Sequence, residues 1–242
     1  MNPVLPATAF GVVELRRYAM QPGARDTLIG LFEREFVEAQ EACGMVPVGH
    51  YRDLDDPDSF VWFRAFPRME MRRDALAAFY TSPTWLEHRN EANATLADSD
   101  NVLLLRSARP DSGFDTSGLT RPPAAEPGTA AASFVAVSVF MLAERAGDDL
   151  LDAFERDVLP QLATQARRIA YFVTEERPND FPRLPVRENE YAFVVAGICP
   201  SRDALAAWAR ALDMTRLPDA VRACAMSIET LRLEPAARSL FR

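Results

Sequence analysis

The chain has 242 residues, a formal net charge of −8 at pH 7, 48% hydrophobic residues and 26% charged residues. These values are typical of a globular protein and exclude a disordered or fibrous one. All 27 basic residues are arginine, and the lack of lysine excludes Schiff-base catalysis, a pyridoxal-phosphate anchor and a phosphate-loop lysine. The negative charge disfavours nucleic acid as a partner, because non-specific affinity for nucleic acid comes from cationic neutralisation of phosphates.

Cysteine spacing and hydropathy give expectations about the compartment. The cysteines Cys43, Cys199 and Cys224 lie far apart, which fits neither a disulfide framework nor a zinc site. Residues 1–20 lack a basic start followed by an apolar stretch, so no secretion signal is predicted. The longest apolar runs have about half of the roughly 20 residues that a membrane-spanning helix needs. We therefore expect a cytoplasmic protein without a membrane partner, and arginine usage without lysine is typical of a bacterial sequence.

The first half of the chain predicts elements in the order βαββαβ. Apolar residues with helical spacing, followed by a glycine, indicate the first helix. Ser82 is a good N-cap and Pro83 a good first residue for the third helix. Alternating apolar residues and a turn over residues 55–58 indicate a hairpin. The predicted strands cover residues 10–18, 46–52, 60–66 and 102–106. The predicted helices cover residues 25–43 and 72–80, and a third starts at Ser82.

A segment rich in Pro and Gly divides the chain. Residues 109–132 have no helical or alternating apolar pattern and are predicted to form a surface linker. The domains on either side are predicted at residues 8–108 and 133–236.

Internal repetition supports this division. Phe-Glu-Arg-Glu at residues 32–35 recurs as Phe-Glu-Arg-Asp at 154–157, and residues 73–79 recur at 202–208 with one difference. The spacing between the copies is seven residues larger for the second motif. This difference predicts a seven-residue insertion within residues 176–189.

The second half repeats the order of elements. Each half is predicted to form a four-stranded antiparallel sheet with helices on one face. Packing the two bare faces together buries apolar surface, which contributes about 25 cal/mol per Å². The predicted fold is therefore α+β, with two tandem βαββαβ repeats. Its second-half strands cover residues 134–141, 169–174, 191–199 and 227–233, and its helices cover 148–166 and 202–212.

A family resemblance rests on four stretches of the first half. These are residues 60–66, the helix 72–80, Ser-Pro-Thr-Trp at 82–85, and Leu103 to Leu105. They resemble the NIPSNAP family, a branch of the dimeric α+β barrel superfamily. The resemblance implies a ferredoxin-like α+β barrel, here an intramolecular pseudo-dimer, and no particular reaction. Superfamily relatives include cofactor-independent oxygenases, haem-degrading enzymes, isomerases and non-catalytic binders.

Candidate functional residues lie in the first half. Strand alternation puts Trp62 and Arg64 on one face, and puts His50 on one face of the neighbouring strand together with Val46 and Val48. Trp85 and His88 are three residues apart on a helix and share a side. The residues predicted to bind a planar, anionic small molecule are Tyr18, Trp62, Arg64 and Trp85. His50 and His88 are the candidate catalytic proton acceptors.

The second half lacks these polar groups. Projection by the repeat spacing places Phe172 at the position of His50, and Phe193 at that of Arg64. We therefore expect any polar pocket to lie in the first half, with the second half as its structural partner.

Other kinds of site find little support. His88 and Glu91 have helical His-x-x-Glu spacing, but no second pair completes a metal shell, so no metal is predicted. The sequence has no Gly-rich phosphate loop and no nucleophile elbow, so no nucleotide cofactor and no covalent hydrolysis are predicted.

Each candidate residue also suits a purely structural position. Trp62 and Trp85 fit a core, Arg64 an ion pair and His88 a solvent-facing helix position. The function is thus either small-molecule binding, which leaves open an oxygenase-like or isomerase-like reaction, or that of a non-catalytic scaffold whose helices bind another protein. The sequence leaves open whether the pseudo-dimer forms a further homo-oligomer.

Overall fold

The computed structural model describes residues 10–123 and 133–242. Residues 8 and 9 of the predicted first domain and 124–132 of the predicted linker lie outside this part. The strands are β1 (Val12–Met20), β2 (Val46–Asp53), β3 (Ser59–Phe66), β4 (Leu96–Ser107), β5 (Phe134–Leu142), β6 (Arg167–Thr174), β7 (Tyr191–Cys199) and β8 (Ala225–Pro235). The helices are α1 (residues 25–42), α2 (Met69–Tyr80), α3 (Pro83–Ala94), α4 (residues 148–163), α5 (Arg202–Ala211) and α6 (Asp219–Cys224).

These strands form one closed antiparallel barrel in the order β1-β3-β2-β8-β5-β7-β6-β4. The four strands of each half are neighbours, and two seams join the halves. One seam pairs β2 with β8 and the other pairs β4 with β6. The predicted α+β class is confirmed, and the helices lie outside the barrel, against the outer face of each half.

Apolar side chains from both halves fill the barrel interior. The ring of Phe114 packs among three other phenylalanines of this core, with centroids 4.9 Å from Phe63, 4.9 Å from Phe172 and 4.8 Å from Phe241. Phe114 belongs to the segment predicted as a surface linker, and that prediction is wrong at this residue because its ring is buried. The aromatic side chain fills space that the strands leave open, so the interior is a packed core.

Both long helices contain a π-helical turn at the repeated Phe-Glu-Arg motif. The turns are Phe32–Phe36 in α1 and Phe154–Val158 in α4. In α1 the backbone N–H of Val37 donates to the carbonyl of Phe32, five residues earlier. A π turn inserts one residue into a helix and is frequent at functional sites. The repeat therefore preserves a local backbone geometry as well as a sequence.

Strand β2 differs from its predicted alternation. A register shift lies between Pro47 and Gly49, so Val46 and Val48 face the barrel interior while the His50 ring contacts a phenylalanine of α1. The prediction that these three residues share a face is wrong, because the bulge inserts one extra residue. Glycine is required there, since a Cβ at residue 49 would lie 1.8 Å from the Tyr51 hydroxyl.

Two further elements differ from expectation. Strand β4 begins at Leu96, six residues before the predicted start, because exposed polar residues extend the pairing with β1. The short helix α6 follows Pro218 and has no apolar period long enough to be predicted from sequence. Among the described residues, no helix combines the length and the apolar character needed to cross a membrane.

Candidate functional site

A cavity of about 130 Å³ lies between the outer face of the first-half sheet and its helices. We call it the inner cavity. The four residues predicted to bind a ligand, Tyr18, Trp62, Arg64 and Trp85, all lie on its wall. The other aromatic residues of the wall are Phe32, Phe36, Phe60, Phe79 and Tyr80, and its other polar residues are Arg16, Gln40, Asn93 and Ser99.

Strand register places the polar groups of the wall side by side. Glu14 pairs with Arg64, and Arg16 with Trp62, across β1 and β3. Because side chains alternate along a strand, these residues all face the helices. Trp85 is positioned from the other side by its helix start, where its backbone N–H donates to Ser82 Oγ at 3.2 Å. The predicted cap at Ser82 is therefore confirmed.

Glu14 is fully buried and binds three arginines. Its Oε2 accepts from Arg64 Nη2 at 2.6 Å and from Arg16 Nη1 at 2.9 Å, and its Oε1 accepts from Arg72 Nε at 2.7 Å. Burial opposes ionisation of Glu14, but the charges of Arg64, Arg16 and Arg72 outweigh it and hold the pKa of the carboxyl far below its ordinary value. The carboxylate stays ionised and fixes the guanidinium groups.

Sequence reasoning missed Glu14, Arg16 and Arg72 as functional residues. The available signal was the charged pair Glu14 and Arg16, two residues apart in a strand that also contains Arg17 but is mainly apolar. Charged side chains that alternate with buried ones face a layer above the sheet. Arg72 gave no such signal, because its contact depends on how a helix packs on the sheet.

The second half of the chain completes this charge cluster. Arg72 Nη1 forms an ion pair with Asp180 and donates to Asn179 Oδ1 at 3.0 Å. The cluster thus contains the guanidinium groups of three arginines and the carboxylates of Glu14 and Asp180. Three positive and two negative charges leave a net charge of +1 beside the inner cavity.

Three residues of the cavity wall have a buried polar atom without a hydrogen-bond partner in the described chain. These atoms are Arg64 Nη1, Trp62 Nε1 and Gln40 Oε1. Buried polar groups in proteins are nearly always hydrogen-bonded, so each exception calls for an explanation. Here two donors, one of them positively charged, and one acceptor belong to the same cavity wall.

The phenol of Tyr18 adds a further donor. Its oxygen accepts a hydrogen bond of 2.8 Å from Arg16 Nε, which leaves the phenolic proton available to another acceptor. Burial raises the pKa of Tyr18, so the hydroxyl remains protonated at neutral pH. The guanidinium of Arg64 lies 5.1 Å from the ring centroid of Trp62, a distance typical of cation–π contact.

His50 lies next to the inner cavity but does not line it. The ring is fully buried, 5.1 Å from that of Phe32, and its Nε2 lies 2.9 Å from Glu33 Oε1. Burial lowers the pKa of His50, so the imidazole is neutral at pH 7. The expectation that His50 lines a pocket with Trp62 is wrong, because Phe32 of the π turn contacts both rings and forms the wall instead.

His88 also lies outside the inner cavity. Its side chain is 21% exposed, with Nε2 at 3.6 Å from Glu35 Oε2 and Nδ1 at 4.0 Å from Glu91 Oε2. The expected shared side with Trp85 is confirmed, because the rings of Trp85 and His88 lie 5.7 Å and 6.4 Å from that of Phe36, but only Trp85 reaches the inner cavity. Within residues 10–123 and 133–242, no group of three or more His, Cys, Asp or Glu side chains is placed to hold a metal ion.

Strand register gives the counterpart of Arg64 in the second half. With β5 aligned to β1 by the spacing of the Phe-Glu-Arg repeat, Ala136 takes the place of Glu14, and its partner Gly197 takes the place of Arg64. The projection of Arg64 onto Phe193 is wrong by four residues, because α2 has one more turn at its start than α5. That extra turn, residues 69–72, also supplies the third arginine of the cluster.

The counterpart of His50 is Tyr171 rather than Phe172. His50 pairs with Trp62, and Tyr171 occupies the same place in the β6–β7 ladder. Tyr171 donates to Glu155 Oε1 at 2.8 Å, so its partner is the glutamate of the repeated Phe-Glu-Arg motif, as in the first half. The projection is wrong by one residue because Tyr171 follows Glu155 by 16 positions, whereas His50 follows Glu33 by 17.

In the second half, the side chain of Trp208 fills the space between sheet and helices that corresponds to the position of Arg16 and Arg64 in the first half. A Cβ on Gly197 would lie 2.6 Å from the Trp208 ring. The indole is fully buried, and its Nε1 donates to Ser138 Oγ at 3.0 Å. The expectation that polar groups of the first half are replaced by apolar ones therefore holds, with different residues from those projected.

The profile of the NIPSNAP family matches residues 13–108. This segment contains every residue of the inner cavity wall except Leu184. Residues 13–108 therefore carry the sequence pattern of the NIPSNAP family. A NIPSNAP family protein from Agrobacterium tumefaciens is 22% identical over 42% of this chain and 91% of that protein, with a TM-score of 0.38.

Two solved structures resemble nearly the whole chain, including the part beyond the NIPSNAP match. A putative monooxygenase from Lactobacillus acidophilus NCFM has a TM-score of 0.53 and 10% identity, covering 95% of this chain and 97% of that one. A putative monooxygenase from Fusobacterium nucleatum has a TM-score of 0.55 and 7% identity, covering 94% and 93%. At such identities the likeness shows a shared fold alone. A search of curated proteins found no match.

Proposed function

We propose that the inner cavity binds a small, planar ligand group that carries one negative charge. The observation that carries the proposal is Arg64 Nη1, a buried guanidinium nitrogen on the cavity wall without a partner among the described residues. Leaving a buried donor unsatisfied costs about 1–3 kcal/mol, and more for a charged group. A carboxylate or phenolate of a guest would accept from Arg64 and from Trp62 Nε1 together.

The size and lining of the cavity favour a single aromatic ring. An apolar cavity of about 150 Å³ holds benzene, and the inner cavity has about 130 Å³. Aromatic side chains surround it, and rings prefer edge-to-face and offset contacts with one another. A benzoate or a simple phenolate is therefore a suitable guest.

The charge of the cluster favours one negative charge on the guest. The net charge of +1 left by three arginines, Glu14 and Asp180 is neutralised by a monoanion. A neutral isostere such as benzamide would leave the positive charge of the buried cluster uncompensated. We therefore expect discrimination between an acid and its amide.

Thermal denaturation with small aromatic probes tests this proposal. Benzoate is expected to raise the Tm, and benzamide to raise it much less, because a ligand that binds only the folded state stabilises it. Arg64→Leu should abolish the benzoate effect, and Trp62→Phe, which removes only the indole N–H, should weaken it at least severalfold in Kd. Arg216→Gln, an exposed arginine of the second half, is the matched control.

The proposal would be wrong if no aromatic anion stabilised the protein. It would also be wrong if benzoate stabilised the Arg64→Leu and Trp62→Phe variants as much as the unaltered chain. Because Arg64→Leu disturbs the pairing of Glu14, the Trp62→Phe variant decides the matter if Arg64→Leu fails to fold.

A second candidate is oxygenation of the bound anion without a cofactor. It is favoured by the whole-chain fold likeness to two proteins named putative monooxygenases. In such a reaction a phenol and O₂ give a quinone and water. One oxygen atom enters the ring, the other leaves as water, and the ring supplies all four electrons. Oxygen consumption with stoichiometric quinone formation from a bound phenol would support it, and binding without oxygen uptake would overturn it.

An isomerase-like reaction and a scaffold role have less support. Isomerisation needs a base at the guest, and the predicted proton acceptors His50 and His88 do not line the cavity. A scaffold needs an exposed apolar patch. Among the described residues the exposed large apolar side chains are Met71, Leu86, Tyr191 and Met226, which lie on four different elements.

We also interpret the chain as an intramolecular pseudo-dimer of two ferredoxin-like repeats. The same order of elements in each half and the same strand order in each half of the barrel support this interpretation. In it the second repeat closes the barrel, and the first holds the guest. The fragment 133–242 expressed with a separate fragment 1–123 is expected to assemble, and two fragments that fold without associating would contradict the interpretation.

A further inference from the structure

The inner cavity adjoins a second, more external cavity of about 250 Å³, which we call the outer cavity. The two share the wall residues Tyr80, Trp85, Asn93 and Leu184. A guest in the inner cavity that carries a substituent can therefore extend past these residues. The rest of the outer wall consists of Arg89, Phe181 and Arg183.

Part of this wall comes from the second half of the chain. Residues 175–190 lie between β6 and β7, where the repeat spacing predicts an insertion. The insertion has 12 residues rather than seven, because the spacing to the first half is 121 at Tyr171 and 133 at Gly197. Phe181 is buried in the apolar cluster of the first half, and the carbonyl of Leu184 accepts from Asn179 Nδ2 at 2.9 Å. These contacts fix the segment where it borders both cavities.

The two arginines of the outer cavity are available to a ligand. Arg89 comes from α3 and Arg183 from the inserted segment, and both are exposed. Neither has a carboxylate within 4.0 Å among the described residues, although most arginines of this acidic chain form an ion pair. Two unpaired guanidinium groups on one cavity wall favour a carboxylate or a phosphate there.

We propose that the outer cavity binds a second anionic group of the same guest. The ligand of this protein is then a bipartite dianion. Its aromatic ring and first anionic group lie in the inner cavity, a short chain passes Trp85 and Leu184, and a terminal carboxylate or phosphate reaches Arg89 and Arg183. The proposal rests on the proposed function, because it assigns the ring to the inner cavity.

The test compares probes that differ only at the outer anionic group. The probes are benzoate, a series of 4-(ω-carboxyalkyl)benzoates with two to six methylenes, and the same compounds with the outer carboxylate as its methyl ester. Calorimetry measures the Kd of each for the full chain. We expect at least one dicarboxylate to bind 10-fold or more tightly than its ester, and the advantage to fall with added salt.

Variants assign that advantage to the outer cavity. Arg89→Gln and Arg183→Gln should each reduce the affinity advantage of the dicarboxylate over its ester about threefold or more. The double variant should remove this advantage while leaving the Kd of benzoate unchanged. Both residues are exposed, so neither change is expected to unfold the protein. Arg216→Gln, also exposed and without an ion pair in the described chain, should change nothing.

Three results would overturn the proposal. The first is equal binding of dicarboxylates and esters at every length, and the second is an advantage that survives in the double variant. Either outcome leaves Arg89 and Arg183 as solvated surface residues. The third is that no probe binds at all, in which case the proposed function fails and this proposal fails with it. If the proposed function is right and only this proposal is wrong, benzoate binds in a way that depends on Trp62, and Arg89 and Arg183 do not affect the binding of any dicarboxylate.

Discussion

The ring of Phe181, from the second half, stacks on Tyr80, from the first, with centroids 6.1 Å apart and an interplanar angle of 22°. Next to it, Asp180 and Asn179 contact Arg72 of the buried cluster. One inserted segment thus contributes to the apolar packing and to the charge balance of a cavity in the other half of the chain. The second half acts on the site through this segment as well as through the barrel.

Shortening Phe181 tests the apolar part of this contact. We expect Phe181→Ala to lower the free energy of unfolding by about 2–4 kcal/mol, because truncating a buried phenylalanine removes apolar contacts and leaves a cavity. Stabilisation by benzoate should fall as the outer wall loosens. Phe181→Leu, which keeps most of the volume, should cost less than half as much in urea denaturation. Equal effects of the two changes would show that the ring is not packed as described.

Removing the charge of Glu14 tests the buried cluster. Glu14→Gln is expected to lower the free energy of unfolding by about 3–5 kcal/mol, because it leaves buried guanidinium groups without their counter-ion. Glu229→Gln is the matched control. Glu229 forms an exposed pair with Arg17, and such pairs contribute about 1 kcal/mol or less. Urea denaturation at pH 7 measures both, and a similar small effect at the two positions would contradict the buried assignment.

Glu14 also predicts a dependence of stability on pH. Its pKa is lower in the folded protein than in the unfolded chain, because the charges of three arginines outweigh its burial. The unfolded chain therefore takes up the proton first. The contribution of Glu14 is complete above the unfolded pKa of about 4.3 and decreases as the pH falls below it. The stability difference between the unaltered chain and Glu14→Gln should shrink from pH 6 to pH 3, and a constant difference would refute the shift.

His50 predicts a separate effect at higher pH. Burial lowers the pKa of His50 in the folded state, so the unfolded chain again binds the proton first. Stability should fall as the pH drops below the ordinary histidine pKa of about 6.5. His50→Gln should flatten the stability profile between pH 7 and pH 5, and an unchanged slope would contradict the lowered pKa of His50. Because His50 does not line the cavity, benzoate should still stabilise the His50→Gln variant.

Gly197 tests how the second half is filled. We expect Gly197→Ala to lower the free energy of unfolding by about 1–3 kcal/mol, because its Cβ would collide with the Trp208 ring. Gly30→Ala is the matched control, since a Cβ there meets nothing within 4 Å and alanine favours the helix by about 1 kcal/mol. Thermal denaturation should therefore shift in opposite directions for the two variants. A neutral Gly197→Ala would mean that the tryptophan does not occupy that space.

Local features of the fold could be predicted from the sequence. Apolar periodicity located the strands and long helices to within a few residues, except at the start of β4. Ser82-Pro83 marked a helix start because capping is a property of adjacent residues. The bulge at Gly49 and the π turn at Phe32 could not be predicted, since each depends on packing against a neighbouring element. These two features decide that His50 faces α1 and lies outside the cavity.

The candidate site was predictable in part. Strand alternation brought Trp62 and Arg64 together correctly, because both lie on one strand. The role of Glu14 depended on the β1–β3 register, and that of Asp180 on a contact between residues far apart in the chain. A single sequence without aligned relatives holds no signal for such long-range pairs.

In the proposed pseudo-dimer, the barrel contains two related copies within one polypeptide, and this arrangement has a consequence for the evolution of the protein. In an assembly of two identical subunits, every mutation appears twice, so both copies must tolerate it. Here a mutation reaches one copy only. Arg64 and Gly197 occupy corresponding positions, yet one serves a charged cavity and the other makes room for a tryptophan. Covalent linkage therefore lets natural selection act on each copy independently.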